Sequence, residues 1–420
     1  MGSFEIMNYK TFITSDRFDL MAKYLYIKHY DKKIHTNFFI KLYKSHINTF
    51  NGCYEYPGTK TNIQQFIESF NALIESIKTN NFNKDFPIPI GSNNVIINGS
   101  HRLMVSYFLK KKIYVIFKSN IACPYNYSFF LNRKEFPSLQ PIYADTMALE
   151  YININSNIRI MCVYPKAYNI NNINIIKNII SKYGYIYYEK SVQLNKNGFN
   201  NLIKELYRGE KWIGGLFPTG ISEKTKLCFD NKPTTIFLID MKDTSKLIEM
   251  KEKCRSLYKL NKHSLHVSDY TKDTFRIASS ILNKNSIHFL NNGTNDITMN
   301  TKLLLNKFFN EVKLNKEDFC LTSSLIMEMY CLRKAKDIDY LHKDNMEINL
   351  KDVGLHSGKW EEYYHIHKDE IIYNPNNHFY FNGSKFATLN VIKKMKENRG
   401  ELKDLIDIKL IEKINYINYF

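Results

Sequence analysis

The chain lacks the marks of several common protein classes. Its seven cysteines (Cys53, Cys123, Cys162, Cys228, Cys254, Cys320 and Cys331) are odd in number and contain no CxxC pair. That argues against a disulfide framework and a structural zinc site, and it points to a reducing compartment, the cytoplasm. No apolar run approaches the roughly 20 residues needed to span a bilayer, and "MGSFEIMNYK" carries no apolar signal segment. No membrane partner is expected. Gly2 invites myristoylation, but position six is Ile where the pattern wants Ser or Thr. There is no internal repeat and no low-complexity tract. Acidic residues are also scarce: 59 Lys and Arg face 41 Asp and Glu, a formal net charge of +18. Such a surplus favours anionic partners, whether nucleotides, phosphorylated substrates or nucleic acid. The excess is mostly Lys scattered among Asn, Ile and Tyr, a bias that AT-rich coding alone produces.

Hydrophobic residues make up 44% of the 420 positions, enough for a packed core in each of roughly two to four domains. The first ~80 residues read as helical. In "KTNIQQFIESFNALIESIK", Ile63, Phe66, Ile67, Phe70, Leu73, Ile74 and Ile77 form one stripe, with Thr61 and Gln64 as a capping box. "NNVIINGSHRLMVSYFLKKKIYVIF" reads as strand (95–97), turn, helix from Ser100, and strand (113–117). From about residue 155, strands alternate with helices through "SLHVSD", "TKDTFRIASSILNK" and a further strand "SIHFL", which predicts helix-covered sheets. "NNGTNDITMN" looks like a boundary. The expected class is α/β (α+β) and multi-domain, with segments 1–140, 141–297 and 298–420.

Three constellations carry chemistry. In "IINGSHRLMVSYFL", Gly99, Ser100, His101 and Arg102 occupy a strand-to-helix turn. Amide groups at a helix start attract anions, and a guanidinium can clamp phosphate oxygens. This turn, over 87–117, resembles the Gly-x-His-Arg signature of the ParB/sulfiredoxin-like superfamily. The resemblance implies a nucleotide-phosphate site at these four residues. Asn98 stands where that family often has an acid.

In "NKHSLHVSD", strand alternation turns Leu265 and Val267 one way and His266 and Ser268 the other, and it separates His263 from His266. One metal shared by both histidines is therefore not expected. A histidine near a strand end suits a presented nucleophile; a satisfied core histidine fits the same pattern. The segment from Asn157 to about Asn283 is similar to nucleoside diphosphate kinases. That resemblance implies a ferredoxin-like fold, with His266 as the phosphorylated residue, Ser268 and Asp269 beside it, and Arg255 near a phosphate-binding arginine. His263 falls on the family's Asn. Tyr164 replaces the phosphate-binding lysine, Lys166 being only nearby, and Val267 replaces a glycine.

In "FCLTSSLIMEMYCLRKAKDIDYLH", Ser323 and Ser324 precede Asp337 and Asp339. Two carboxylates at i, i+2 share a strand face and suit one or two Mg²⁺ ions against a triphosphate. The arrangement resembles the polymerase-beta-like nucleotidyltransferases, with Ser-Ser in place of Gly-Ser. The resemblance implies metal binding by Asp337 and Asp339, with Asp369 or Glu370 as third carboxylate. It extends to a closing tail with Lys393, Lys396, Arg399, Lys403, Asp404 and Asp407. If the segment "YYHIHKDEI" is extended, His365, His367 and Asp369 share a face and form a rival zinc or iron site.

The combined expectation is a Mg²⁺-dependent phosphoryl- or nucleotidyltransferase using ATP or CTP, with an anionic or phosphorylated acceptor. The alternatives are a ParB-like nucleic-acid-binding or nuclease protein, and a catalytically inactive structural protein of virion type. The latter would be found in host cytoplasm or virion.

Overall fold

A computed structural model describes residues 5–417 except 8, 57, 216, 218, 219 and 295. Gly2 lies outside them. The fold mixes helix and sheet and divides into two compact units, residues 1–154 and 155–420. The chain segments expected at 141–297 and 298–420 therefore lie, apart from their first 14 residues, within a single unit.

The first unit is mostly helical around a small sheet of β1 (Glu5–Met7), β2 (Ile88–Ile90) and β3 (Ile113–Phe117), in the order β1-β3-β2. The periodic stripe does form a helix, Ile63–Asn80, and it buries Phe66, Phe70, Ile74 and Ile77. Its cap is Asn62, one residue later than expected. The Asn62 side chain accepts from the Gln65 N–H, while Gln65 Oε1 accepts from the Thr61 N–H at 2.7 Å. The strand expected at 95–97 is absent; Ile96 makes only an isolated bridge to Ile90. The strand is Ile88–Ile90 instead, where Pro89 is tolerated because β2 is an edge.

The second unit holds two sheets. The first contains β4 (Ile158–Val163), β5 (Gly184–Val192), β6 (Thr234–Met241) and β7 (Leu265–Val267), in the order β5-β6-β4-β7, with every neighbouring pair antiparallel. Met161, Val163, Phe237, Ile239, Leu265 and Val267 share one face. They pack there against Ile173, Ile176 and Ile180 of the helix Ile170–Tyr183 and Leu247, Met250 and Cys254 of the helix Leu247–Arg255. Residues of opposite parity, including Cys162 and its cross-strand partner His266, face the other way.

The second sheet contains β8 (Phe319–Thr322), β9 (Ile338–His342), β10 (Val353–Leu355), β11 (His378–Phe381) and β12 (Ser384–Ala387), in the order β10-β9-β8-β12-β11. Asn382 and Gly383, both at positive φ, close the β11–β12 hairpin, as a two-residue turn of this twist requires. The segment "SIHFL" is not a strand but part of the helix Lys284–Asn292, capped by Asn283, whose side chain accepts from the Asn285 and Ser286 N–H groups. Five apolar-rich residues do not fix the period, and the cap decides it. Asn285 Nδ2 then donates to the Pro375, Asn376 and His378 carbonyls at 2.9, 2.9 and 3.2 Å, tying this helix to the second sheet.

Candidate functional site

The turn Gly99–Arg102 forms as expected, with Gly99 at φ 86° and a helix over Ser100–Phe108. Its His101 and Arg102 side chains are engaged within the protein. His101 Nε2 lies 2.9 Å from the Tyr43 hydroxyl, and its ring meets Phe70 edge-on at 4.5 Å. Burial, with the Lys23 charge adding to it, holds the His101 pKa well below the usual imidazole value. Arg102 folds back to donate to the Phe86 carbonyl, and its guanidinium lies so close to Gly99 that a Cβ there would come within 2.9 Å. It acts as a brace for the loop rather than as a free phosphate clamp.

His266 is half-buried on β7, opposite Cys162, with the Tyr207 ring edge-on at 5.2 Å. Burial and the charges of Lys251, Arg276, Arg255 and Lys224 bring its pKa down to about 3, so the ring is neutral at physiological pH. Lys224 Nζ stands 5.6 and 5.8 Å from the Tyr164 and Tyr207 ring centroids and 3.2 Å from His263 Nδ1. Tyr164 itself is buried with its hydroxyl 3.4 Å from that of Tyr207, so Lys224, not residue 164, supplies the ammonium here. Ser268 is engaged structurally. Its hydroxyl accepts from the Ile160 N–H at 3.0 Å and meets Thr274 Oγ1 at 2.7 Å, which fastens β7 to the helix Thr271–Ile281. Arg255 pairs with Glu252 at 2.8 Å, and Asp269 is exposed, 3.6 Å from Lys251.

The third constellation comes together in space. β8 and β9 run antiparallel with Thr322 opposite Asp339, so the serine turn at the end of β8 meets the start of β9. Ile338 is fully buried, and alternation turns the flanking Asp337 and Asp339 to the other side. Ser324 Oγ donates to Asp337 Oδ1 at 3.2 Å, and His356 Nε2 lies 3.3 Å from Asp339 Oδ1. Each aspartate thus has one oxygen held by the protein, while its Oδ2 takes no hydrogen bond or ion pair from the described residues. Gly354 pairs with Asp339 across β10, and a Cβ on it would sit 2.9 Å from Asp339 Oδ1. Ser323 keeps a glycine-like backbone, φ 63° and ψ −138°, although its side chain is that of serine.

The third carboxylate is not part of this group. The segment is not extended: Lys368–Tyr373 is a helix with His367 as its cap, and Asp369 sits in its first turn. Tyr373, on the same helix, donates to Asp318 at 2.7 Å, and the Asp369 charge acts on Tyr373 together with those of Asp318 and Asp344. Asp318 precedes Phe319 and Asp344 follows His342, the pair at the far end of the β8–β9 ladder from Thr322 and Asp339. Asp369 is therefore displaced from the aspartate pair. His365, His367 and Asp369 do not share a strand face, and among the described residues no group of three or more His, Cys, Asp or Glu side chains could hold a metal ion. Two unengaged carboxylate oxygens still fit Mg²⁺, which commonly takes one or two carboxylates and completes its shell with phosphate and water oxygens.

The tail residues pair with one another. Lys396 Nζ lies 3.0 Å from Asp404 Oδ1 and 2.6 Å from Asp407 Oδ2; Arg399 binds Asp404 twice, and Arg333 binds Asp407 twice. Lys393 pairs with Glu412 at 2.9 Å and Lys403 with Glu401 at 2.7 Å. These charges join the helices Leu389–Arg399 and Leu402–Ile417 and, through Arg333, anchor the loop that leads into Asp337. His356, Tyr364 and Lys224 carried no motif in the sequence; only the fold brings them to these places.

No family model, curated protein or solved structure matches the chain.

Proposed function

We propose that the protein transfers a nucleotidyl or phosphoryl group from a nucleoside triphosphate, and that the centre is the serine turn and aspartate pair at the meeting point of β8 and β9. The observation that carries this is the unengaged Oδ2 of Asp337 and of Asp339, with Ser324 Oγ bonded to Asp337 Oδ1 and the strand end before the serine turn paired with Asp339. Mg²⁺ bound there would neutralise phosphate charge and polarise the reacting phosphorus. Asp337 and Asp339 would hold the ion, Ser323 and Ser324 would position phosphate oxygens, and the ordered Arg333–Asp407 pair would keep the Asp337 loop in place. The nucleotide is ATP or CTP and the acceptor an anionic or phosphorylated molecule, in keeping with the net charge of +18. Incubation with triphosphate labelled at the α or the γ phosphate tests this. Label passed to an acceptor and lost in Asp337→Ala/Asp339→Ala supports it; turnover unchanged by that double substitution overturns it.

A second reading applies to His266. The split βαβ order β5-β6-β4-β7, with two helices on one face, is that of ferredoxin-like domains, and it supports the kinase-like resemblance of this segment. A neutral imidazole among Lys224, Lys251, Arg255 and Arg276 favours phosphoryl acceptance at His266. Acid-labile γ label that disappears in His266→Ala would mark it. The half-buried His101, bonded to Tyr43, and the folded-back Arg102 favour a structural role for the first turn over nucleic-acid or nucleotide contact. If neither site takes label or binds nucleotide, the structural, non-enzymatic alternative is what remains.

A further inference from the structure

Asp339 is held by more than its own strand. A chain of three side chains runs from it back to the serine turn: His356 Nε2 to Asp339 Oδ1 at 3.3 Å, His356 Nδ1 to the Tyr364 hydroxyl at 3.1 Å, and that hydroxyl to Thr322 Oγ1 at 2.9 Å. The side chains of His356 and Asp339 are only 11% and 13% exposed, and the Trp360 ring lies 6.0 Å from the imidazole. In one proton order Thr322 donates to Tyr364 and Tyr364 donates to Nδ1, which leaves Nε2–H facing the Asp339 carboxylate across 3.3 Å, a polar contact rather than an aligned hydrogen bond. Because Thr322 and Asp339 are also paired across β8 and β9, the chain closes a loop around the junction.

We infer that His356 and Tyr364 are positioning residues: they fix Asp339 Oδ1 and so aim its Oδ2 at a divalent cation bound with the triphosphate. The inference rests on the reading of Asp337 and Asp339 as cation ligands. In that order neither nitrogen of His356 is left to take a proton from a substrate, which separates this role from that of a general base. Outer partners of metal-binding side chains commonly govern affinity by about 10- to 100-fold.

The test is binding of Mn²⁺, a spectroscopic stand-in for Mg²⁺. The full chain is titrated with Mn²⁺ in the presence of a non-hydrolysable ATP or CTP analogue, and free Mn²⁺ is followed by electron paramagnetic resonance. His356→Leu and Tyr364→Phe should each weaken Mn²⁺ binding about 10-fold or more. His356→Gln, which keeps an N–H donor near the Nε2 position, should recover most of it. Tyr340→Phe removes a hydroxyl from the same strand, one that donates to the Met346 carbonyl at 2.8 Å, and should leave Mn²⁺ affinity unchanged. Wild-type affinity in both His356→Leu and Tyr364→Phe, with binding lost in Asp339→Asn, would overturn the positioning role alone. Equal Mn²⁺ binding by wild type and Asp339→Asn would overturn the aspartate reading and the inference with it.

Discussion

Replacing Lys396 by Met is the sharpest test of how the closing helices are held. The ammonium, with a side chain 1% exposed, sits between Asp404 and Asp407, which are equally hidden. Breaking a buried ion pair by removing one partner costs about 3–5 kcal/mol. Here each aspartate keeps a two-bond arginine, Arg399 at 2.7 and 2.8 Å for Asp404 and Arg333 at 2.7 and 3.0 Å for Asp407. The loss should therefore fall at the low end, about 3 kcal/mol, while the methionine keeps the packing of the lysine stem. For a unit of this size that is a fall in Tm of roughly 6–12 °C. Urea unfolding at pH 7, followed by circular dichroism, measures it directly. The pH dependence adds a second check. Burial alone would raise the Asp404 pKa, but hydrogen bonds from Arg399 and Lys396 outweigh it and bring it down to about 2; Asp407 is lowered likewise by Arg333 and Lys396. The folded state binds fewer protons than the unfolded one across that window. The stabilisation is thus complete above the ordinary aspartate pKa of 3.8 and is lost as pH falls toward 2. The gap between wild type and Lys396→Met should close over the same range. A loss below about 1 kcal/mol at pH 7, the size of an exposed pair, would refute the buried-network account.

Ser323→Gly should stabilise the protein by about 1 kcal/mol or more, because serine strains at φ 63°, ψ −138° and glycine does not; a fall in the urea midpoint would contradict that. Phosphoryl labelling of His266, if measured as an initial rate, should not rise through pH 6–7, since the ring is already neutral there with its pKa about 3; a step near 6.5 would count against the lowered pKa. His46 and His101 are both held far below the usual imidazole pKa, chiefly by burial, so the unfolded chain binds more protons below about pH 6.5. The first unit should therefore lose stability as pH falls below about 6.5, and His46→Leu should flatten the slope of a stability-versus-pH series.

Periodic elements were legible in the sequence. The stripe from Ile63 to Ile77, the strand Ile113–Phe117 and the run of strands and helices from Ile158 to Ile281 all follow from apolar spacing, which survives any tertiary context. Val95–Ile97 misled because three apolar residues are too few to define a strand, and the edge position that admits Pro89 is a property of the sheet. The meeting of the serine turn with Asp337 and Asp339 was legible because i, i+2 spacing on a strand is local. The third carboxylate was not: Asp369 was named from the resemblance, and the His367 cap starts a helix whose Asp369 acts on Tyr373, the partner of Asp318, away from the aspartate pair. Lys396, Arg399, Asp404 and Asp407 read only as a tail with a family-like charge pattern, since charge in sequence does not say which charges neutralise one another. His356 and Tyr364 lay hidden because His356 reaches Asp339 only through the parallel pairing of β9 and β10, and Tyr364 meets His356 from the turn after Glu361–Tyr363.

The sheet order also sets a timetable. β8 lies between β9, which follows within twenty residues, and β12, whose Phe386 pairs with Leu321 sixty-five residues downstream. Non-local pairing of this kind closes slowly, after local contacts have formed. During synthesis the serine turn at the end of β8 must wait, flanked on one side only, until the β11–β12 hairpin has emerged and docked. A chain stopped before residue 384 would carry Ser323, Ser324, Asp337, Asp339 and His356 in full yet leave one edge of their supporting strand open. Truncated products of this protein are therefore expected to be captured by chaperones or to aggregate through β8 rather than to show partial activity.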